Sequence, residues 1–174
     1  MKKNVVFVGF MGTGKTALAK KLAHITGMRY VSIDDLIVSS EGRPITDIFR
    51  DEGEPYFRRL EKDIVSDVME KSGQVVDTGG GVVLDEDNMR VLKDGGVVLC
   101  LWADADTIYE RTKKHGHRPL LNVPDPVARI KELLDARRPF YEKADIHINT
   151  DDRSVDDILE EVKDSLDARM EDAG

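Results

Sequence analysis

The octapeptide Gly9-Phe10-Met11-Gly12-Thr13-Gly14-Lys15-Thr16 constrains this chain more than any other stretch. It satisfies G-x-x-x-x-G-K-[ST] at every required position, follows the apolar run Val5–Val8 and leads into a helical pattern at Ala17–Ala23. Strand, phosphate-binding loop and helix are therefore expected in that order. Glycines let the backbone curl until successive N–H groups converge on phosphate oxygens, and the helix adds its positive end. Gly12, Thr13, Gly14, Lys15, Thr16 and Ala17 are the expected contacts to ATP, with Lys15 on the β- and γ-phosphates and Thr16 on Mg²⁺. No Asn-Lys-x-Asp guanine signature occurs anywhere, which weighs against a GTPase.

Beyond the loop, short apolar runs alternate with helical spacing. Strands are expected over 5–10, 30–33, 75–77, 97–102 and 146–148, and helices over 15–26, 34–41, 46–51, 54–72, 86–93, 105–114 and 126–143. This alternation predicts an α/β fold, a parallel sheet covered by helices on both faces. Ligands of such sheets gather at the carboxyl ends of the strands. The chemically unusual segments 9–16, 32–35 and 77–81 each follow a strand directly.

At 174 residues and 40% hydrophobic, the chain can bury one core and is short for two, so a single domain over 1–174 is expected. The net charge of −8 is concentrated in residues 151–174, which carry ten acidic and three basic side chains. Val155, Ile158, Leu159, Val162 and Leu166 keep helical spacing there, so these acids are expected on the wet face of a terminal helix. Without a basic excess, nucleic acid is not an expected partner. No segment approaches the ~18 apolar residues of a membrane span. The apolar run after Met1-Lys2-Lys3 is only about seven residues and breaks into the phosphate loop, unlike a signal peptide. A cytoplasmic monomer is the default expectation. The single cysteine, Cys100, lies inside an apolar run and reads as a buried small hydrophobe.

The helical stretch from Glu54 places Glu54, Arg58 and Glu61 on one face. Taken alone it reads as an exposed charge ladder worth ~0.2–0.5 kcal/mol per pair. Gly79-Gly80-Gly81 favours another reading, because glycines after a strand are costly unless backbone must approach something closely or take positive φ. A second ligand beside the phosphate loop would need such a wall. Recognition of a carboxylate calls for a rigidly held guanidinium, and Arg58 between two glutamates can be so held. Asp34, ending the second strand, can accept hydrogen bonds from an acceptor's hydroxyls. Turn formers in His115-Gly116-His117 and Asn122-Val123-Pro124 surround Arg118 with few apolar anchors, predicting a mobile lid. Those two histidines have no nearby third ligand and make a poor metal site. His24 and His147 are expected to be structural.

In these features the sequence resembles the shikimate kinase family. The resemblance rests on Gly9 to Thr16, Asp34, Ile48-Phe49 through Gly53-Glu54, Phe57-Arg58 and Glu61, Gly79-Gly80-Gly81, Arg118-Pro119-Leu120-Leu121, and Arg137 before Pro139 and Tyr141. It implies a three-layer P-loop fold in the nucleoside monophosphate kinase style, with a five-stranded parallel sheet flanked by helices and a mobile lid over about 113–124. The acceptor-binding helical region would cover about 34–62. It further implies that ATP phosphorylates the 3-hydroxyl of shikimate. Asp34, Arg58, Gly80 and Arg137 would hold shikimate, with Gly79 and Gly81 shaping the same wall. Arg118 would reach the transferring phosphoryl group, and Arg111 would pack against adenine together with Arg153.

One departure concerns the metal. The family commonly carries Asp-x-Asp after the second strand, its first Asp supporting Mg²⁺ through water, and here that position is Ser32. Asp35 offers an alternative register for the acceptor carboxylate, although Asp34 keeps the family spacing to Arg58. Asp77, two residues before Gly79, is a candidate replacement for the lost metal carboxylate in the manner of a Walker-B Asp. Capping of the glycine turn is its alternative role. Other small-molecule kinases, acting on gluconate or nucleotides, and a non-catalytic nucleotide-binding regulator remain the competing readings.

Overall fold

The computed structural model describes residues 3–113 and 123–171. Arg118, both lid histidines and nearly all of the expected lid lie outside the described residues. The chain begins with β1 (Asn4–Gly9), α1 (Lys15–Thr26), β2 (Arg29–Ser32) and three consecutive helices, α2 (Ile33–Glu41), α3 (Ile45–Glu52) and α4 (Glu54–Met69). It continues through β3 (Gln74–Asp77), a 3-10 turn at Val82–Leu84, α5 (Glu86–Gly95), β4 (Gly96–Trp102) and α6 (Ala105–Thr112). The described chain ends with α7 (Pro126–Tyr141), β5 (Ile146–Asn149) and α8 (Val155–Glu171). The five strands form one parallel sheet in the order β2-β3-β1-β4-β5.

Alternation along β1 divides the core between the two faces of this sheet. Val6 and Val8 join Val76, Val98 and Cys100 beneath α2, α4, α5 and α7, where Ile37, Val65, Leu92 and Ile130 are buried. Val5 and Phe7 join Val75, Leu99 and Ile148 on the opposite face, under Leu18 and Leu22 of α1 and Ile158, Leu159 and Val162 of α8. The acidic tail is thus a core helix with a charged outer side, as its spacing predicts. Cys100 is fully buried, and burial pushes its thiol up to about 12. None of the described helices is long and apolar enough to cross a membrane.

Element borders differ from the expected ones by small, explicable amounts. Ile33 is expected to end the second strand but begins α2, because the Ser32 hydroxyl accepts from the Asp35 amide at 3.1 Å and caps the helix. Gly9 ends β1 at φ 140°, and a Cβ there would stand 2.5 Å from the Leu101 carbonyl oxygen. Only glycine lets the loop leave the sheet this close to β4.

At the other end of β1, Asn4 is fully buried. Its amide donates to Lys71 O at 2.7 Å and accepts from the Gln74 N–H at 2.9 Å, tying the start of β1 to the turn that enters β3. Asn4→Ala would orphan the Gln74 N–H and leave Lys71 O with the 3.4 Å bond from Gln74 Nε2, and should cost about 1–3 kcal/mol of stability. Chemical denaturation of the two proteins measures this loss, with the m-value unchanged.

Candidate active site

A cleft of about 730 Å³ opens at the carboxyl ends of the strands and is lined by all three segments singled out above. Its floor is the phosphate loop. Gly14, at φ 96°, caps α1 without a side-chain hydrogen bond, and the first turn of α1 carries no acid. The positive end of that helix is therefore left for an anion from outside. Lys15 is buried and donates to Gly9 O at 2.8 Å and Phe10 O at 3.0 Å, which keeps its ammonium against the loop.

Beside the loop, β1 and β3 are paired through Phe7 and Asp77, and β3 and β2 through Asp77 and Ser32. Asp77 does not cap the glycine turn. Its Oδ2 accepts from the Thr16 hydroxyl at 2.6 Å and from the Tyr30 hydroxyl at 3.1 Å. Burial and the Asp77 charge raise the Tyr30 phenol well above its ordinary range, so it stays a donor. Tyr30 was not legible from sequence as a site residue. Its only signal is the two-residue spacing from Ser32, which puts both side chains on one face of β2.

The acceptor half is built on α2, α4 and the glycine wall. A Cβ on Gly79 would stand 3.0 Å from Asp34 Oδ1 and 3.4 Å from Glu61 Oε1, so the bare glycine admits both carboxylates. On Gly81 it would stand 2.4 Å from an Arg58 guanidinium nitrogen. Arg58 donates to Glu61 Oε2 at 2.7 Å and, through Nε and NH2, to Glu54 Oε1 at 3.2 Å. The expected ladder is exposed at one end only: Glu54 is open to solvent, whereas the Glu61 side chain is 1% exposed and its Oε1 has no hydrogen-bond partner among the described residues. Burial raises the Glu61 carboxyl, with Arg58 opposing. From α7, Arg137 donates to Gly80 O at 3.3 Å and lies 5.3 Å over the Phe10 ring. The Tyr141 hydroxyl donates to the same carbonyl at 2.6 Å. Tyr141 is one helical turn beyond Arg137; the sequence named it only within the family pattern, and its contact across the fold brings it to the glycine wall.

Arg111 lines the cleft and donates to Gly12 O at 3.3 Å and to Thr150 O at 2.6 Å, joining the phosphate loop to the end of β5. Arg153 does not line the cleft; it donates to Asn149 O at 3.0 Å and pairs with Glu161 of α8. The arrangement brings together an anion-binding loop, hydroxyl and carboxylate oxygens beside it, and two arginines along a backbone wall. It can hold a polyphosphate and a small carboxylated alcohol side by side.

The family model described as shikimate kinase matches residues 11–167. A shikimate kinase from Thermodesulfovibrio yellowstonii is 44% identical over 160 residues, covering 92% of each chain. Among solved structures, the shikimate kinase from Acinetobacter baumannii in complex with shikimate superimposes with a TM-score of 0.92 at 30% identity, covering 97% of this chain and 95% of that one. A gluconokinase from Sinorhizobium meliloti shares the fold alone, with a TM-score of 0.62 at 18% identity over 98% of this chain and 95% of that one.

Asp34 carries a measurable signature of this crowding. Burial and then the Asp77 charge raise its pKa, against Lys15 and Arg58. The folded protein therefore holds the Asp34 proton more tightly than the unfolded chain does. Stability falls as pH rises from the ordinary carboxylate value, about 4, through the raised folded value, and is level above it. Asp34→Asn should raise the melting temperature of the ligand-free protein at pH 7 by on the order of a few degrees. That gain should disappear below about pH 4 in thermal unfolding across pH.

Proposed function

The chain belongs to the shikimate kinase family, and from that membership we propose how its residues transfer the γ-phosphoryl group of ATP to the 3-hydroxyl of shikimate, giving shikimate 3-phosphate and ADP. The observation that carries the assignment of roles is the glycine wall. Asp34 and Arg58 lie against Gly79 and Gly81, and Arg137 reaches Gly80, all in one cleft with the phosphate loop.

Gly12, Thr13, Gly14, Lys15, Thr16 and Ala17 hold the phosphates of ATP, with Lys15 exchanging its loop carbonyls for β- and γ-oxygens. Arg58 and Arg137 grip the shikimate carboxylate, while Gly79, Gly80 and Gly81 let the ring approach the backbone. Asp34 accepts from the ring hydroxyls and orients the attacking oxygen; its raised pKa suits it to take up that proton. Arg111, with Arg153 nearby, borders the adenine. Arg118, which lies outside the described residues, would complete the donors around the transferring group, with about 113–124 proposed as the lid that carries it. Phosphoryl transfer through a loose transition state needs alignment and charge neutralisation more than covalent chemistry. Thr16 and Asp77 offer the hard oxygen donors that suit Mg²⁺, and Asp77 replaces the carboxylate lost at Ser32. Mg²⁺ held there would neutralise β- and γ-phosphate oxygens. Among the described residues no three His, Cys, Asp or Glu side chains group so as to hold a metal. A single-domain, cytoplasmic monomer is the default reading that goes with this proposal.

A coupled ADP-release assay over shikimate, gluconate and nucleoside monophosphates should give turnover with shikimate alone. Arg58→Ala should raise the shikimate KM roughly 10–100-fold, the loss of a charge-assisted contact of ~1.5–3 kcal/mol. An unchanged KM would remove Arg58 from the carboxylate site. Asp77→Asn should raise the Mg²⁺ concentration for half-maximal rate by about tenfold or more. The same titration giving superimposable curves would return the metal to Thr16 and phosphate alone.

A further inference from the structure

We infer that Tyr141 is a positioning residue for acceptor binding: by holding the Gly80 carbonyl, it frees Arg137 to leave that carbonyl for the acceptor carboxylate. The inference rests on the reading of Arg137 as a carboxylate ligand.

Two donors converge on Gly80 O, the Tyr141 hydroxyl at 2.6 Å and Arg137 NH1 at 3.3 Å. A guanidinium that binds an incoming carboxylate must first give up the acceptors it already holds. A part-buried carbonyl abandoned by its only donor carries the full penalty of an unmet hydrogen bond, and that penalty would be charged against ligand affinity. Here the shorter bond stays behind, so Arg137 can depart without orphaning Gly80. Packing, rather than this bond, holds the wall itself. A Cβ on Gly80 would stand 3.4 Å from the Met11 amide nitrogen and 3.5 Å from Gly9 O, so this residue is packed between the phosphate loop and α7.

Tyr141 is built for this task. It is 1% exposed and packs edge-on against Trp102 with ring centroids 5.7 Å apart, which fixes the ring. Burial pushes its phenol up to about 12, with the Arg137 charge pulling the other way, so it remains a donor at every working pH. Its place one turn after Arg137 on α7 means that the helix carrying the arginine also carries its replacement.

Tyr141→Phe keeps the ring and deletes the donor. In the full-length enzyme its shikimate KM should rise about tenfold, equivalent to about 1.4 kcal/mol, while the ATP KM stays within about twofold. A cycle with Arg137→Ala separates positioning from plain structure. In the Arg137→Ala background, Tyr141→Phe should change the shikimate KM by less than about twofold, because no arginine is left to release. A tenfold effect persisting there, or no effect in the presence of Arg137, would overturn the inference. Arg137→Ala without any rise in shikimate KM would instead overturn the carboxylate assignment on which it rests. Calorimetric titration with shikimate, whose stoichiometry reports the folded fraction, keeps the comparison decisive if the Phe variant is less stable.

Discussion

The parallel pairing of β1 with its two neighbours is the constraint on which the rest of the molecule depends. It sets Phe7 against Asp77 and Gly9 against Leu101, while β3 sets Asp77 against Ser32. All the strands consequently release their chains at one level of one edge, where loop, carboxylates and glycines must meet. The tight exit at Gly9 converts that register into a phosphate site, since α1 starts only after the loop has turned back across the sheet edge. A shift of register would separate Thr16 from Asp77 and empty the site of its geometry.

Within the cleft, opposing charges are balanced rather than minimised. Asp34, Glu61 and Asp77 crowd around Arg58 and Lys15, and burial raises both Asp34 and Glu61. The orphaned Glu61 oxygen is a further cost borne by the ligand-free fold. Arrangements of this sort trade stability for readiness, because groups that must meet a charged ligand are held together before it arrives.

What the sequence disclosed and what it withheld follow from how local each signal is. The phosphate loop, the strand and helix alternation, and the burial of Ile158, Leu159 and Val162 are written in spacing alone, and all are found. Ser32 could be recognised as a missing carboxylate, but its capping of α2 depends on where β2 stops, the least local of the boundaries. Tyr30 was read only as a strand residue and Tyr141 only as part of the family pattern after Arg137, because their hydroxyls find partners 47 and 61 residues away. Nothing in a one-residue neighbourhood distinguishes such a phenol from an ordinary core aromatic. The Glu54-Arg58-Glu61 spacing taken alone favoured a solvated ladder, the triple glycine pointed the other way, and the structure buries Glu61 by the glycine wall while leaving Glu54 exposed.

The division of the core into two faces has an evolutionary side. α1 and α8 share one face, which backs the phosphate loop, whereas α2, α4 and α7 lie on the other and supply Asp34, Arg58 and Arg137. The two faces are not independent, because Phe10 of the phosphate loop is buried in the cluster of the second face and lies under Arg137 of α7. A mutation that repacks the helices of the acceptor side is therefore felt at the phosphate loop, so the two halves of the cleft must change together.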